Sequence, residues 1–352
     1  MLRLAEGQAF ARVQPAGFPT PELRCIRLAD GDVLPMMGGG VALPAVSTGR
    51  LHKEARLPKN LLIRILMSLA ASLAIAFTLS GCSAVGTLNA LAARSSYTLK
   101  ADVAYGPLPR QKLDIYTPTA TAPAAGWPVV VFFYGGSWNT GERADYQFVG
   151  EALAARGVVT LVADYRLYPE VRYPDFLTDS ARALAYGLDQ ATRLGGDSKR
   201  VFVMGHSAGG YNAAMLALDA RWLNAAGHAP RELAGWIGLA GPYDFFPTDN
   251  PDAQPVFFHP NYPAHAQPIA FTPPDAPRSF LAAPVNDRLV SPERSTRQLA
   301  HKLQAAGVPV TLKFYARVSH TSLIGAFAWP LRWVAPVLDD VTGFIDTTPP
   351  GR

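Results

Sequence analysis

The stretch that decides the fold is Val201-Phe202-Val203-Met204-Gly205-His206-Ser207-Ala208-Gly209-Gly210. Four apolar residues of strand character lead into a glycine-flanked serine, and a helix-compatible segment, residues 208–219, follows it. Gly205 to Gly209 fit the pattern G-x-S-x-G, and the strand before and helix after give that pattern a physical meaning. A chain that leaves a strand and enters a helix within one residue holds the serine in a strained conformation, and side chains at 205 and 209 would clash. The Ser207 hydroxyl is thereby presented at the C-terminal edge of a sheet. It sits beside a helix N-terminus, whose dipole favours negative charge. Ser207 therefore reads as a nucleophile.

Upstream, residues 128–134 (PVVVFFY) form a continuous apolar run, as expected of a strand buried on both faces. Tyr134-Gly135-Gly136-Ser137-Trp138 follows it, at the place of an HGGG-type oxyanion loop. Tyr stands where His is common and Ser137 where a third Gly is common, but neither change removes a backbone N–H. The N–H groups of Gly136 and Ser137, with that of Ala208 after the nucleophile, are the expected oxyanion hole. Further strand signals lie at 97–104, 112–116, 158–164, 233–239, 280–284 and 310–315. Helical patterns lie at 145–156, 175–194, 292–306 and 329–345. This alternation predicts a doubly wound, mostly parallel α/β sheet. Residues 242–277 break it with ten prolines among aromatics and read as an insertion capping one end of the sheet.

With the run Asp164-Tyr165-Arg166-Leu167-Tyr168-Pro169-Glu170, then Tyr173-Pro174 and Asp179, these motifs resemble the α/β-hydrolase fold. The resemblance is to the carboxylesterase group related to hormone-sensitive lipase, and it covers about residues 97–345. It implies a Ser–acid–His triad in that chain order and ester hydrolysis without a cofactor. Asn286-Asp287-Arg288-Leu289-Val290 looks like the family's acid loop, so Asp287 is the expected acid, with Asp244 and Asp249 as rivals after the preceding strand. His320 follows the last strand and is the expected base. His206 adjoins the nucleophile, but its side chain should point away from the serine hydroxyl. Trp138, Tyr211, Phe245, Phe246, Phe257 and Phe258 read as pocket lining or as core. The His, Asp and Cys spacings give no metal-ligand cluster. An amidase or arylformamidase-like activity is the runner-up, and a non-catalytic surface lipoprotein is the third reading.

Composition narrows the partners. Hydrophobic residues make up 49% and charged residues 17%, which excludes a disordered chain. Of the net charge of +5, residues 1–81 carry +4 (9 basic, 5 acidic) and the rest +1 (23 basic, 22 acidic), so no nucleic-acid partner is expected. Residues 65–80 are an apolar run, short for a bilayer span, behind the basic flank Lys53, Arg56, Lys59 and Arg64. The run ends in Leu79-Ser80-Gly81-Cys82, which resembles a bacterial lipobox with Cys82 as the acylated residue. Ser83 after it leans toward the outer membrane. The expected organisation is a non-native or disordered leader (1–56), a lipoprotein signal (57–81), a tether (82–96) and a hydrolase domain (97–346).

Overall fold

The computed structural model describes residues 24–27, 33–36, 84–92 and 95–347. Two units are distinguished, residues 1–70 and 71–352. Within the first, Arg24–Arg27 pairs antiparallel with Val33–Met36 in a stretch for which the sequence predicted no element. The proposed signal segment and Cys82 lie outside the described residues.

The second unit is built on an eight-stranded sheet. Its strands are β1 (Tyr97–Ala104), β2 (Lys112–Pro118), β3 (Trp127–Phe133), β4 (Val159–Ala163), β5 (Gly196–His206), β6 (Gly235–Leu239), β7 (Ser279–Pro284) and β8 (Val310–Tyr315). Their order across the sheet is β8-β7-β6-β5-β3-β4-β2-β1. β1 and β2 are antiparallel to their neighbours, and β3 to β8 run parallel. Val129 to Phe133 are fully buried, as a strand covered on both faces must be. The order reverses direction at β3 and β5, and ligands of open α/β sheets bind outside the C-terminal strand ends at such a point. The serine turn leaves β5 there.

The helices are α1 (Ala84–Ala90), α2 (Gln147–Ala154), α3 (Asp175–Gln190), α4 (Ala208–Leu218), α5 (Ala220–Ala225), α6 (Gln298–Ala305), α7 (His320–Gly325) and α8 (Val337–Asp346). Helix α4 is buried along its whole length, which explains its near absence of polar residues. Among the described residues no helix is long and apolar enough to cross a membrane.

Several elements of the second unit differ from the sequence expectation. Residues 329–345 are not one helix: Pro330 and Pro336 confine the regular turns to a 3₁₀ segment, Trp329–Leu331, and to α8. Helix α7 was not foreseen, because six residues are too few to show a period; the Ser319 hydroxyl caps it by accepting from the Ser322 N–H. The span 82–96, expected as a tether, contains α1, and that helix is docked. Asn89 donates to the Ala144 carbonyl at 2.8 Å and accepts from the Phe148 N–H at 3.1 Å. The ordered body therefore begins by residue 84, about a dozen residues before the expected start at 97.

Residues 242–277 hold little regular structure beyond the short turn Pro268–Ala270. They are tied down by side chains instead. Gln267 Oε1 accepts from the N–H groups of Phe245 and Phe246, and the Tyr211 hydroxyl donates to the Ala266 carbonyl at 2.7 Å.

Candidate active site

Ser207 joins β5 to α4 with φ 55° and ψ −121°, a region that non-glycine residues rarely occupy. The flanking glycines make this possible. A Cβ at Gly205 would lie 2.0 Å from the Gly209 carbonyl oxygen, and one at Gly209 would lie 2.0 Å from the Phe133 carbonyl oxygen. Both obstacles are backbone, so no side chain can swing aside. Gly209→Ala is expected to cost at least ~3 kcal/mol, the upper end of core overpacking. Urea unfolding of the purified variant checks this, and an unchanged midpoint would count against the steric account.

The serine hydroxyl lies 2.7 Å from His320 Nε2. His320 Nδ1 lies 2.7 Å from Asp287 Oδ2. Three segments far apart in the chain thus converge: the turn after β5, the loop after β7 and the start of α7. The other Asp287 oxygen accepts from the N–H groups of Leu289 (2.9 Å) and Val290 (3.1 Å). Burial alone would push this carboxyl up; the His320 hydrogen bond and charge and the two backbone donors outweigh it and hold it below its ordinary value. Asp244 is engaged elsewhere, with Arg294 at 3.1 Å. Asp249 is exposed at the rim.

The glycine loop after β3 faces the serine. A Cβ on Gly135 would come within 2.9 Å of Ser207 Cβ, so only glycine allows the approach. Gly136 (φ 121°), Ser137 (φ 49°) and Trp138 (φ 59°) all lie at positive φ. Among the described residues the N–H groups of Gly136, Ser137 and Ala208 donate to no protein acceptor. Ser137 and Ala208 line a cavity of about 630 Å³ with Ser207, His320, Trp138 and Phe245, under cap residues that include Asn250 and Pro247.

The hydrogen bonds that hold this loop in place had no counterpart in the sequence reading, although several of the residues that make them stood in its motifs. Tyr134 turns away from the nucleophile: its hydroxyl donates to Asp164 at 2.9 Å and accepts from Arg110 at 2.8 Å. Tyr165 donates to the Tyr134 carbonyl (2.8 Å), and the Tyr168 N–H donates to the Trp138 carbonyl (2.8 Å). Arg143 pairs with Asp164, Asp114 and Asp102 behind them. From the cap, Asn250 Nδ2 donates to Ser137 Oγ at 3.2 Å. The conspicuous run 164–179 is therefore largely a brace. Its Asp179 takes a two-pronged hydrogen bond from Arg166 and another from Gln111.

The six candidate aromatics separate by role. Trp138 and Phe245 face the cavity. Tyr211 and Phe257 are fully buried beneath Trp138, with ring centroids 5.2 and 4.8 Å from it. Phe246 stacks on Tyr262, and Phe258 is partly exposed over Arg172.

His206 points away from the serine, as the alternation along a strand requires. Its Nε2–H donates to the His320 carbonyl at 2.9 Å, and the two rings pack 5.0 Å apart. Burial, and then the neighbouring His320, lower its imidazole to about 3. The unfolded chain takes up a proton on this residue below ~6.5, whereas the native protein does not until near 3. Native stability is therefore lost as pH falls through that window, at up to ~1.4 kcal/mol per pH unit from this group. Urea unfolding at pH 6 and pH 5 should show a flatter dependence in His206→Asn; equal slopes would contradict the assignment.

Comparisons with known proteins agree with this architecture. The family model described as BD-FAE matches residues 113–303. An isoprenylcysteine alpha-carbonyl methylesterase of Arabidopsis thaliana is 30% identical over 155 residues, 43% of this chain and 36% of the relative. The esterase LipC of Mycobacterium tuberculosis is 31% identical over 227 residues, 59% of this chain and 56% of the relative. The chain thus spans between about a third and just over half of the length of these curated relatives. Among solved structures, a bacterial heroin esterase superposes with TM-score 0.60 at 25% identity, covering 76% of this chain and 89% of the other. Esterase B from Lactobacillus rhamnosis superposes at 0.63 with 19% identity, covering 82% and 96%, a likeness of fold. The eight-stranded sheet with its serine turn, and a family match over more than half of the chain, show that this protein belongs to the BD-FAE family and has the α/β-hydrolase fold.

Proposed function

We propose that the protein is a serine ester hydrolase of the carboxylesterase type, acting through Ser207, His320 and Asp287 and a covalent acyl-enzyme. The observation that carries this reading is the hydrogen-bonded relay from Ser207 through His320 to Asp287, open to a cavity beside unengaged backbone N–H groups. The Asp287 carboxylate holds the proton of His320 on Nδ1, which leaves Nε2 free to accept. As Ser207 Oγ attacks the ester carbonyl carbon, Nε2 takes its proton. The negative charge that develops on the carbonyl oxygen is received by the N–H groups of Ser137 and Ala208, with Gly136 adjoining, and by the positive end of α4. The imidazolium then protonates the departing alkoxide. Water, deprotonated by the same nitrogen, releases the acid and restores the serine.

The substrate class follows from the lining. Trp138 and Phe245 offer aromatic contact near the serine, whereas Thr248, Asp249, Asn250 and Asp252 of the cap, with Arg288 of the loop after β7, give the cavity a polar rim. We read this as a site for a small or medium acyl or aryl ester with a polar partner group. The names of the similar proteins, which include the methylesterase and the esterase LipC, support an ester substrate. A panel of p-nitrophenyl esters of increasing acyl length tests the reading. Turnover should be highest for short or aryl acyl groups and fall for long chains; no turnover of any ester, with hydrolysis of aryl formamides instead, would reassign the enzyme as an amidase.

We also propose that the chain is carried on a membrane by acylation of Cys82, facing the periplasm or exterior. The apolar run 65–80, its basic flank and the Leu-Ser-Gly-Cys ending support this.

A further inference from the structure

Two of the six tryptophans, Trp329 and Trp333, stand out as exposed: 56% and 77% of their surface faces solvent. Trp138 and Trp236 are buried, and Trp127 and Trp222 are half-buried. Two large aromatic side chains within five residues of each other thus present apolar surface to solvent. They belong to the segment that Pro330 and Pro336 keep from becoming helix. The Trp333 indole N–H donates back to the Pro330 carbonyl at 3.0 Å, so both rings are carried by one turn. The Trp329 indole N–H donates at 2.8 Å to the carbonyl of Leu91, whose side chain is also 46% exposed.

Leu91 directly follows α1, the helix in which Asn89 is bonded to the body at Ala144 and Phe148. The patch is thereby fixed at the C-terminal end of α1, about 10 Å along the helix from Ala84. One residue, Ser83, separates Cys82 from Ala84, and the two peptide steps between them reach at most ~7 Å. An anchor there leaves no slack to hold the body away from a bilayer. The start of α1 must then lie close to the lipid headgroups, and the shortness of the helix keeps its far end, where Leu91 sits, within about 10 Å of that start. Tryptophan is the side chain that prefers this layer, with its ring among the acyl boundary and its N–H bonded.

We infer that Trp329, Trp333 and Leu91 form a membrane seat: an apolar footing that sets the hydrolase body down on the lipid interface beside its anchor. The inference rests on the proposed anchoring through residues 65–82. It adds a docked orientation for the body, which a loose tether would not give.

The test uses the full chain in vesicles containing brominated phospholipid, which quenches indoles that enter the bilayer interface. The Trp329→Phe/Trp333→Phe variant separates the two exposed rings from the other four. Ester hydrolysis serves as the folding control and should be unchanged, since neither residue touches the site. The expected result is a quenched component of the emission that disappears in the double variant. Quenching that is equal in both proteins, or absent in the parent, overturns the seat. So does a self-associated form that Trp329→Ser disrupts while the indoles stay unquenched, because the patch would then serve a second copy. Mass spectrometry of Cys82 reads the anchor separately. An acylated cysteine with unquenched indoles refutes the seat alone, whereas a bare thiol with quenched indoles refutes the anchor and upholds the seat.

Discussion

Ser207→Ala is expected to lower kcat for ester hydrolysis by on the order of 10⁴–10⁶ while leaving the fold intact. Alanine occupies the same strained turn and removes just one oxygen, the atom 2.7 Å from His320 Nε2. The unengaged N–H groups and the cavity remain, so substrate still binds and KM should move little. The residual rate is what oxyanion stabilisation and binding provide without a nucleophile. Circular dichroism and the urea midpoint check that the variant is folded. A folded variant with near-parental kcat would remove the serine from the mechanism.

Asp287→Asn should cost about 10⁴ in kcat, through the tautomer of the histidine. The asparagine carbonyl can still accept from Leu289 and Val290, which turns its NH₂ toward His320 Nδ1. That nitrogen must then be an acceptor, so the proton moves to Nε2. The nitrogen facing Ser207 can no longer take a proton. Asp244→Asn provides the contrast. Asp244 lines the cavity but is paired with Arg294, so its loss should act on KM and leave kcat within about tenfold. Steady-state kinetics of the two variants, measured side by side, distinguish the acids. A larger kcat loss in Asp244→Asn would mean that the acid had been misassigned.

The parts of this molecule legible in the sequence are those that local physics controls. The parallel strands read as apolar runs because both of their faces are covered, and β3 is the clearest case. The serine turn was legible because two glycines are required within four residues of each other, and the structure shows backbone atoms filling the space at both. His320 stood out by its place after the last strand, whereas Asp287 was singled out from Asp244 and Asp249, which also follow a strand, by its likeness to the family's acid loop; the structure links both side chains in one relay to Ser207. What escaped depends on partners distant in the chain. Asn250 meets Ser137 across 113 residues, and Arg143 gathers three aspartates from separate elements. Neither leaves a periodic trace. Short elements were lost for a related reason: α5 and α7 are held by the caps Asp219 and Ser319 and by packing. The docking of α1 includes the Asn89 side chain, the Leu91 carbonyl and the apolar contact of Leu88, which no composition rule singles out.

The most direct test of the covalent mechanism is peptide mapping by mass spectrometry after reaction with a fluorophosphonate. Such a reagent phosphonylates a serine that a neighbouring histidine has activated, and leaves ordinary surface serines unmodified. One adduct per chain is expected, on the peptide carrying Gly205-His206-Ser207-Ala208-Gly209, and it should be absent from Ser207→Ala and strongly slowed in Asp287→Asn. An unlabelled parent protein, or an adduct on a serine other than Ser207, would contradict the account.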